Sequence, residues 1–341
     1  MSLGRSVGLT DTGRRRRHNE DAYVCEPPLF AIADGMGGAQ AGEVASRLAA
    51  AVLNERALVG EGGADLGEAH LAELIQEANR RVFQRSNEDA AASGMGTTMT
   101  VALVDGPAGT VAIGHVGDSR AYRVREGELE QLTEDHSLVN ELLKSGRLSP
   151  EEALSHPQRS VITRAIGTEP DVDVDTFTVD TRPGDLFLLC SDGLTDMITD
   201  DEILGLVERV EDDLDAADLD AAVRRLVQAA NRSGGGDNIT VVAFEIAAEG
   251  EAVGETQRLP AAAAQAAPDD EDTLSGLERV PAIDTAVLSA AEIDGHLERA
   301  PESEPVPAEP TDEPRRRLLP LLLLLLLLAL IAAIVVWGLS R

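Results

Sequence analysis

The sequence predicts an α+β domain, with a helical layer over a sheet, that leads through a linker to a membrane-spanning segment. Three observations carry this. Two long helical patterns, Ala41 to Leu53 and His70 to Asn87, follow one another between strand candidates instead of alternating with them. Between the strands Thr110 to Val116 and Ala121 to Val124, Gly117-Asp118-Ser119 reads as a tight turn, a hairpin rather than a helical crossover. Near the C-terminus, Leu318 to Leu339 is almost unbroken apolar sequence.

Of the 341 residues, 43% are hydrophobic but only 2% aromatic, so a core must be built from Ala, Val, Leu and Ile. The formal charge of -32 argues against nucleic acid as a partner, because phosphate contacts need clustered Lys and Arg. The two cysteines, Cys25 and Cys190, read as buried thiols of a reducing compartment and not as a disulfide framework.

Taken in order, the chain first offers GRRRRH at Gly13 to His18, directly ahead of Asn19-Glu20-Asp21. An arginine beside an acid cluster can grip a phosphoryl group through two parallel hydrogen bonds. Spacing alone does not say which arginine does so. Leu29 to Ala33 reads as a buried strand that ends in Asp34-Gly35, and a carboxylate at a strand end beside an exposed glycine carbonyl seats a hard divalent cation. The construction recurs. Asp192 follows the apolar run Asp185 to Cys190, Asp237 precedes Ile239 to Ile246, and Asp21 stands just before the first strand. Four acids at strand ends, far apart in sequence, suggest a site assembled by the fold.

The first helix repeats Ala41, Val44, Ala45, Leu48, Ala49, Val52 and Leu53 on one face, and Gly60 to Gly67 breaks it. The second carries Leu71, Leu74, Ile75, Ala78, Val82 and Phe83. Thr97 to Val104 is a further strand, and Met36, Met95 and Met99 read as packing residues. From spacing alone Asp118 is a turn former, and His115 is a packed strand residue. Glu134 to Gly167 reads as a mobile surface insert near the site, with a structural His136 at its start. Asp200 to Val210 forms a helix and Asp218 caps another. Gly234-Gly235-Gly236 runs into a strand without a lysine, which speaks against a nucleotide loop.

The folded domain is expected to span residues 1–247. Residues 248–317 are rich in Ala, Pro, Glu and Asp without periodicity and read as a disordered juxtamembrane linker. Thr256, Thr273 and Thr285 each follow an acid there, which suggests docking of a phosphothreonine reader. Residues 318–339, about 22 in number, span roughly 33 Å as a helix, enough for a bilayer. Arg315-Arg316-Arg317 places its N-terminal side in the cytoplasm and the C-terminus outside, making this a single-pass cell-membrane protein.

The motifs RRRRHNEDA, FAIADGMGG, GMGTT, GHVGDSRAY, LCSDGLTD and GGGDNIT occur in an order that resembles the metal-dependent serine/threonine phosphatases of the protein phosphatase 2C type, in their bacterial form, over approximately Val7 to Ile246. The resemblance implies a four-layer α/β/β/α sandwich, two antiparallel sheets flanked by helices, with a two-metal site at one end. It implies that Asp34 bridges two Mn²⁺ or Mg²⁺ ions, with Asp21 and the Gly35 carbonyl on one side and Asp192 and Asp237 on the other. Glu20 then orients metal-bound water, and Arg16 is the arginine selected from the run. Asp118 and Asp196 fall where a third, weaker metal is held, which reverses the turn-former reading of Asp118. The insert corresponds to a flap that shapes substrate access.

Elementary chemistry agrees. Two close cations share a phosphate's charge and activate a bridging water for in-line attack, and an all-carboxylate side-chain set suits Mg²⁺ and Mn²⁺. The chain departs from some members in having Met36 and Ala39 where they carry histidine, which leaves the proton donor for the leaving alcohol open. The implied partners are phosphorylated proteins, among them membrane-bound Ser/Thr kinases and their substrates. The alternatives are a catalytically idle phosphoprotein-binding module and a phosphatase of one dedicated stress regulator.

Overall fold

The computed structural model describes residues 1–37, 41–56, 67–90, 92–154, 156–208, 218–248, 256–259 and 286–287. In chain order the elements are β1 (Ser2–Asp11), β2 (Asp21–Glu26), β3 (Leu29–Met36), α1 (Ala41–Arg56), α2 (Glu68–Glu88), β4 (Gly96–Thr97), β5 (Met99–Asp105), β6 (Thr110–Val116), β7 (Arg120–Arg125) and β8 (Glu128–Gln131). There follow α3 (Leu138–Lys144), α4 (Pro150–Leu154), β9 (Val161–Ile162), β10 (Asp175–Asp180), β11 (Leu186–Cys190), α5 (Asp192–Thr195), α6 (Asp200–Val207), α7 (Asp218–Arg232), β12 (Ile239–Ala247), β13 (Thr256–Arg258) and β14 (Ala286–Val287).

Two sheets form. The first runs β13-β1-β12-β11-β7-β8 and the second β10-β6-β5-β3-β2, with β4 paired to β3. Apart from the parallel addition of β13 to β1, the ladders within these two sheets are antiparallel. Strands that are apolar on both faces explain the layering, since each sheet must be covered twice. Between the sheets lie Phe30, Ile32, Ile113, Phe187, Leu189, Val242 and Phe244. Three of the five phenylalanines stack there, Phe244 lying 4.3 Å from Phe30 and 5.1 Å from Phe187 between ring centroids. The outer face of the second sheet is closed by α1 and α2 through Ala45, Leu53, Leu71, Ile75 and Val82. The first sheet is closed by the helices α5 to α7 through Leu194, Ile203, Val223 and Leu226. Thr199 caps α6 with Glu202 in a reciprocal capping box.

Several expectations are corrected. Gly117-Asp118-Ser119 is not a hairpin turn: β6 pairs with β5 and β10 in the second sheet, whereas β7 pairs with β11 and β8 in the first. The segment carries the chain across the sandwich, and Gly117 reaches a φ of 114° to do so, a conformation that suits glycine. Asp21 does not precede the first strand. It opens β2, and β1 lies before it, its mixed residues hiding a strand whose neighbours are distant in sequence. The first sheet also continues past Ala247, because β13 adds to the edge of β1 and Leu259 is buried beside it, its N–H donating to the Gly8 carbonyl at 2.9 Å. Residues 318–339, Ala39, Thr273 and Thr285 lie outside the described residues, and among those described no helix is long and apolar enough to cross a membrane.

Candidate metal centre

The four acids gather at one end of the sandwich. Asp21 and Asp34 face each other as cross-strand partners of β2 and β3. In the other sheet Cys190 pairs with Val241, so Asp192 just after β11 and Asp237 just before β12 emerge at the matching strand ends. The register of two hairpin-like pairs thus places the acids without any help from nearby sequence.

The glycine after each Asp-Gly aspartate has a steric reason. A Cβ on Gly35 would lie 2.1 Å from the Gly42 carbonyl oxygen and 2.5 Å from that of Glu20. A Cβ on Gly193 would lie 1.9 Å from the Asn238 carbonyl oxygen. In both places another stretch of backbone presses against the acid-bearing turn, and only glycine allows it.

Residues that the sequence reading did not single out hold the acids in place. The Ser191 hydroxyl donates to Asp21 Oδ2 at 3.0 Å, and the Thr240 hydroxyl donates to the same oxygen, so one sheet grips a carboxylate of the other. Asn238 is the strap of the entry loop. Its side-chain amide donates to the Thr12 and His18 carbonyls at 2.9 and 3.0 Å, and its Oδ1 accepts the Glu20 N–H at 2.7 Å. Thr98 Oγ1 accepts the Asp34 N–H at 3.0 Å. All four are short polar residues directly beside a strand end. Their partners lie 64 to 226 residues away, which no local signal could reveal.

Burial and mutual repulsion raise these carboxyls. Asp34 is held well above the usual range by burial and then by the charges of Asp21, Asp192, Asp237 and Asp118. Asp192 is raised likewise, by burial and then by Asp118, Asp237, Asp196 and Asp21. Asp21 is pushed up to about 6, mainly by burial, against the hydrogen bond from Thr240. Asp118 rises to about 7 through burial and then Asp135 and Asp196, with Arg120 opposing. Asp196 is raised by burial, against the pull of Arg159 and Arg120. The expected residues of both the main and the third site therefore feel one another's charge.

Arg16 is the arginine of its run that turns inward. Its Nη2 donates to Asp237 Oδ2 at 2.7 Å and its Nη1 stands 3.7 Å from Glu20 Oε2. Burial disfavours its charge, but Asp237, then Glu20 and Asp34, outweigh that and hold the guanidinium above its ordinary pKa. The insert also reaches the site, since Arg159 lies 3.3 Å from Asp196. Its two ends are pinned: the His136 N–H donates to the Gly117 carbonyl at 2.7 Å and Ile166 exchanges backbone bonds with Thr97. Cys25 and Cys190 are free and buried, and burial lifts their thiols to about 11 and about 12, so neither is poised as a nucleophile.

Among the described residues no three of these side chains close on one point as a coordination cluster. The donor set nevertheless fits divalent cations, because Asp21 Oδ1 and Asp192 Oδ1 are buried oxygens with no hydrogen-bond partner, as is Arg16 Nε on the donor side. Buried carboxylate oxygens without donors are costly unless a cation meets them.

The comparisons with known proteins decide the family. The model of protein phosphatase 2C matches residues 14–230. The chain belongs to the protein phosphatase 2C family. It is a metal-dependent serine/threonine protein phosphatase. Its resemblance to the serine/threonine phosphatase stp of Listeria monocytogenes is 41% identity over 246 residues, covering 69% of this chain and 93% of that protein. Among solved structures, the Mycobacterium tuberculosis serine/threonine phosphatase PstP superposes with a TM-score of 0.66 at 37% identity, over 72% of this phosphatase and all of that chain. A PstP catalytic domain in complex with two manganese ions superposes with a TM-score of 0.64 at 36% identity, over 72% of this chain and 99% of its own. The phosphatase shares with them the two-sheet sandwich flanked by helices, and the two manganese ions are those of the PstP catalytic domain.

Proposed function

We propose that this phosphatase hydrolyses phosphoserine and phosphothreonine in proteins with a binuclear Mn²⁺ or Mg²⁺ site, and that it reverses the work of Ser/Thr kinases. The observation that carries the reading is the pair of partnerless buried oxygens of Asp21 and Asp192, in a group of acids that also includes Asp237, the partner of Arg16. Partnerless carboxylate oxygens fit a cation, and a guanidinium held against the same group of acids fits a phosphoryl group. Asp34 would be shared between the two cations, Asp21 and the Gly35 carbonyl would complete one seat, and Asp192 and Asp237 the other. Bound there, the cations supply positive charge to a phosphoryl group and activate water for attack on phosphorus.

The protein's own groups do the rest. Arg16 is held against Asp237 with its buried Nε–H unpartnered, and Glu20, tied by its N–H to Asn238, flanks it with a carboxylate. Ser191 and Thr240 fix one oxygen of Asp21, which leaves the other aimed and free. Met36 is buried beside Ile162 and Ala165, and a thioether has no proton to give, so the leaving alcohol takes its proton elsewhere. Asp118 and Asp196, with Arg159 on the latter, would hold a third, weaker cation at the flap. Substitution Asp34→Asn tests the assignment: metal-dependent turnover should fall by roughly three orders of magnitude, the several kcal/mol that charge stabilisation by a metal supplies, while the thermal transition persists. Full activity in that variant would refute it.

The reading extends to location. Residues 318–339 would anchor the chain in the cell membrane with the phosphatase domain on the cytoplasmic side and the C-terminus outside, near membrane-bound kinases and their substrates. Thr273 and Thr285, with Thr256 in β13, would offer phosphothreonine-reader docking sites along the linker.

A further inference from the structure

The entry loop that delivers Arg16 is fixed with unusual thoroughness. The Gly13 N–H donates to Asp11 Oδ1 at 2.9 Å and the Arg14 N–H to the Gly235 carbonyl at 2.8 Å. Asn238 then clasps the Thr12 and His18 carbonyls from the strand end that carries Asp237. Gly13 sits at a φ of 78°, and a Cβ there would come within 2.1 Å of the Asp237 carbonyl oxygen. The loop backbone is therefore a rigid extension of the site.

Within this rigid loop only Arg16 turns inward. Arg14, Arg15, Arg17 and His18 are exposed, and among the described residues none of their side chains forms an ion pair or hydrogen bond. Exposure alone does not explain this. Arg80 and Arg85 on α2 are also exposed, and each is ion-paired. The acids nearest in the loop are already engaged: Asp11 accepts from Gly13 and Asn231, and Glu20 and Asp237 face Arg16. On a chain of formal charge -32, three single arginines flanking the inward one form a local positive rim.

We propose that Arg14, Arg15 and Arg17 form a second anion-binding site, which takes carboxylates or a further phosphoryl group of the substrate peptide on either side of the phosphorylated residue. The inference rests on the phosphatase reading of Arg16 and adds a substrate preference to it. The arginines stand one or two residues from Arg16, and an extended peptide advances about 3.3 Å per residue. Acidic groups within about four residues of the phosphothreonine are therefore in reach of guanidinium groups. The loop backbone needs no rearrangement to receive them, so the cost of ordering falls on the peptide and the arginine side chains.

The test uses the full chain with Mn²⁺ and three substrates: a phosphothreonine peptide flanked by Asp and Glu, the same peptide with Asn and Gln in their place, and p-nitrophenyl phosphate. The wild type should turn over the acidic peptide with about tenfold higher kcat/KM than the neutral one, the difference lying in KM and fading with added salt. The triple variant R14Q/R15Q/R17Q should lose that preference, R14K/R15K/R17K should keep most of it, and p-nitrophenyl phosphate should not distinguish the three proteins. A preference that survives in the glutamine variant, a neutral peptide that falls in step with the acidic one, or a wild type without preference would each overturn the proposal. If no phosphopeptide is hydrolysed by any of them, the phosphatase reading fails, and anisotropy of a fluorescein-labelled acidic peptide decides the loop separately. Binding by the wild type that is lost in the glutamine variant supports the anion site, and equal or absent binding refutes it.

Discussion

Asn238 shows how much of the site rests on one neutral side chain. It satisfies two carbonyls and one N–H of the loop from Thr12 to Glu20, so Asn238→Ala leaves three backbone groups in search of partners. The expected cost is about 2–3 kcal/mol in denaturant unfolding, together with a raised KM for phosphopeptides because Arg16 loses its support. Gly193→Ala places a methyl against the Asn238 carbonyl and should cost about 3 kcal/mol. An unchanged midpoint in denaturant would show that the strand ends move apart freely. Asp34, Asp192 and Asp237 were legible as acids at the ends of apolar runs, whereas Asp21 opens a strand that the sequence reading did not place. Ser191 and Thr240 were not, since a hydroxyl beside a strand end acquires its meaning only from a carboxylate 170 or 219 residues away.

Among the elements, the crossing from β6 to β7 links site and insert. His115 on β6 is buried, with Nδ1 at 2.9 Å from Thr100 Oγ1 and Nε2 at 3.0 Å from the Glu134 carbonyl, and its ring lies 4.7 Å from that of His136. Burial, with His136 adding to it, lowers its pKa to about 3. The unfolded chain takes up this proton below about 6.5 while the folded chain refuses it, so the stabilisation is complete above pH 6.5 and is lost as pH falls toward 3. The expected loss between pH 7 and pH 5 is about 2 kcal/mol. In His115→Gln, unfolding followed by circular dichroism should lose this slope, whereas a slope equal to the wild type's would assign it to other groups. Sequence reasoning placed His115 and His136 as structural residues, and they are. It missed the change of sheet at Gly117, because a three-residue turn looks the same whether the next strand pairs back or crosses the sandwich.

For the molecule as a whole, the two sheets and their helical covers follow from strands that are apolar on both faces and helices that are apolar on one. Helix positions were legible because a 3.6-residue period repeats over many turns. β1, β10 and β13 were not, since edge or mixed strands such as Thr256–Arg258 carry too few apolar residues to announce themselves. The domain end at 247 was drawn from composition, and the sheet overrides it through β13, the Arg258–Glu26 ion pair and buried Leu259. Leu259→Ala in the full chain should cost about 2 kcal/mol and lower the melting temperature. No shift would show that these residues lie on the sheet without stabilising it.

The most direct test of the account is phosphate release from a phosphothreonine peptide by the full chain with Mn²⁺ or Mg²⁺, with EDTA, and in the Asp34→Asn variant. Turnover that requires the metal and falls by roughly three orders of magnitude in a variant that melts cooperatively is the predicted result. Turnover that survives EDTA, or that Asp34→Asn leaves intact, would contradict the assignment of the chemistry to this end of the sandwich.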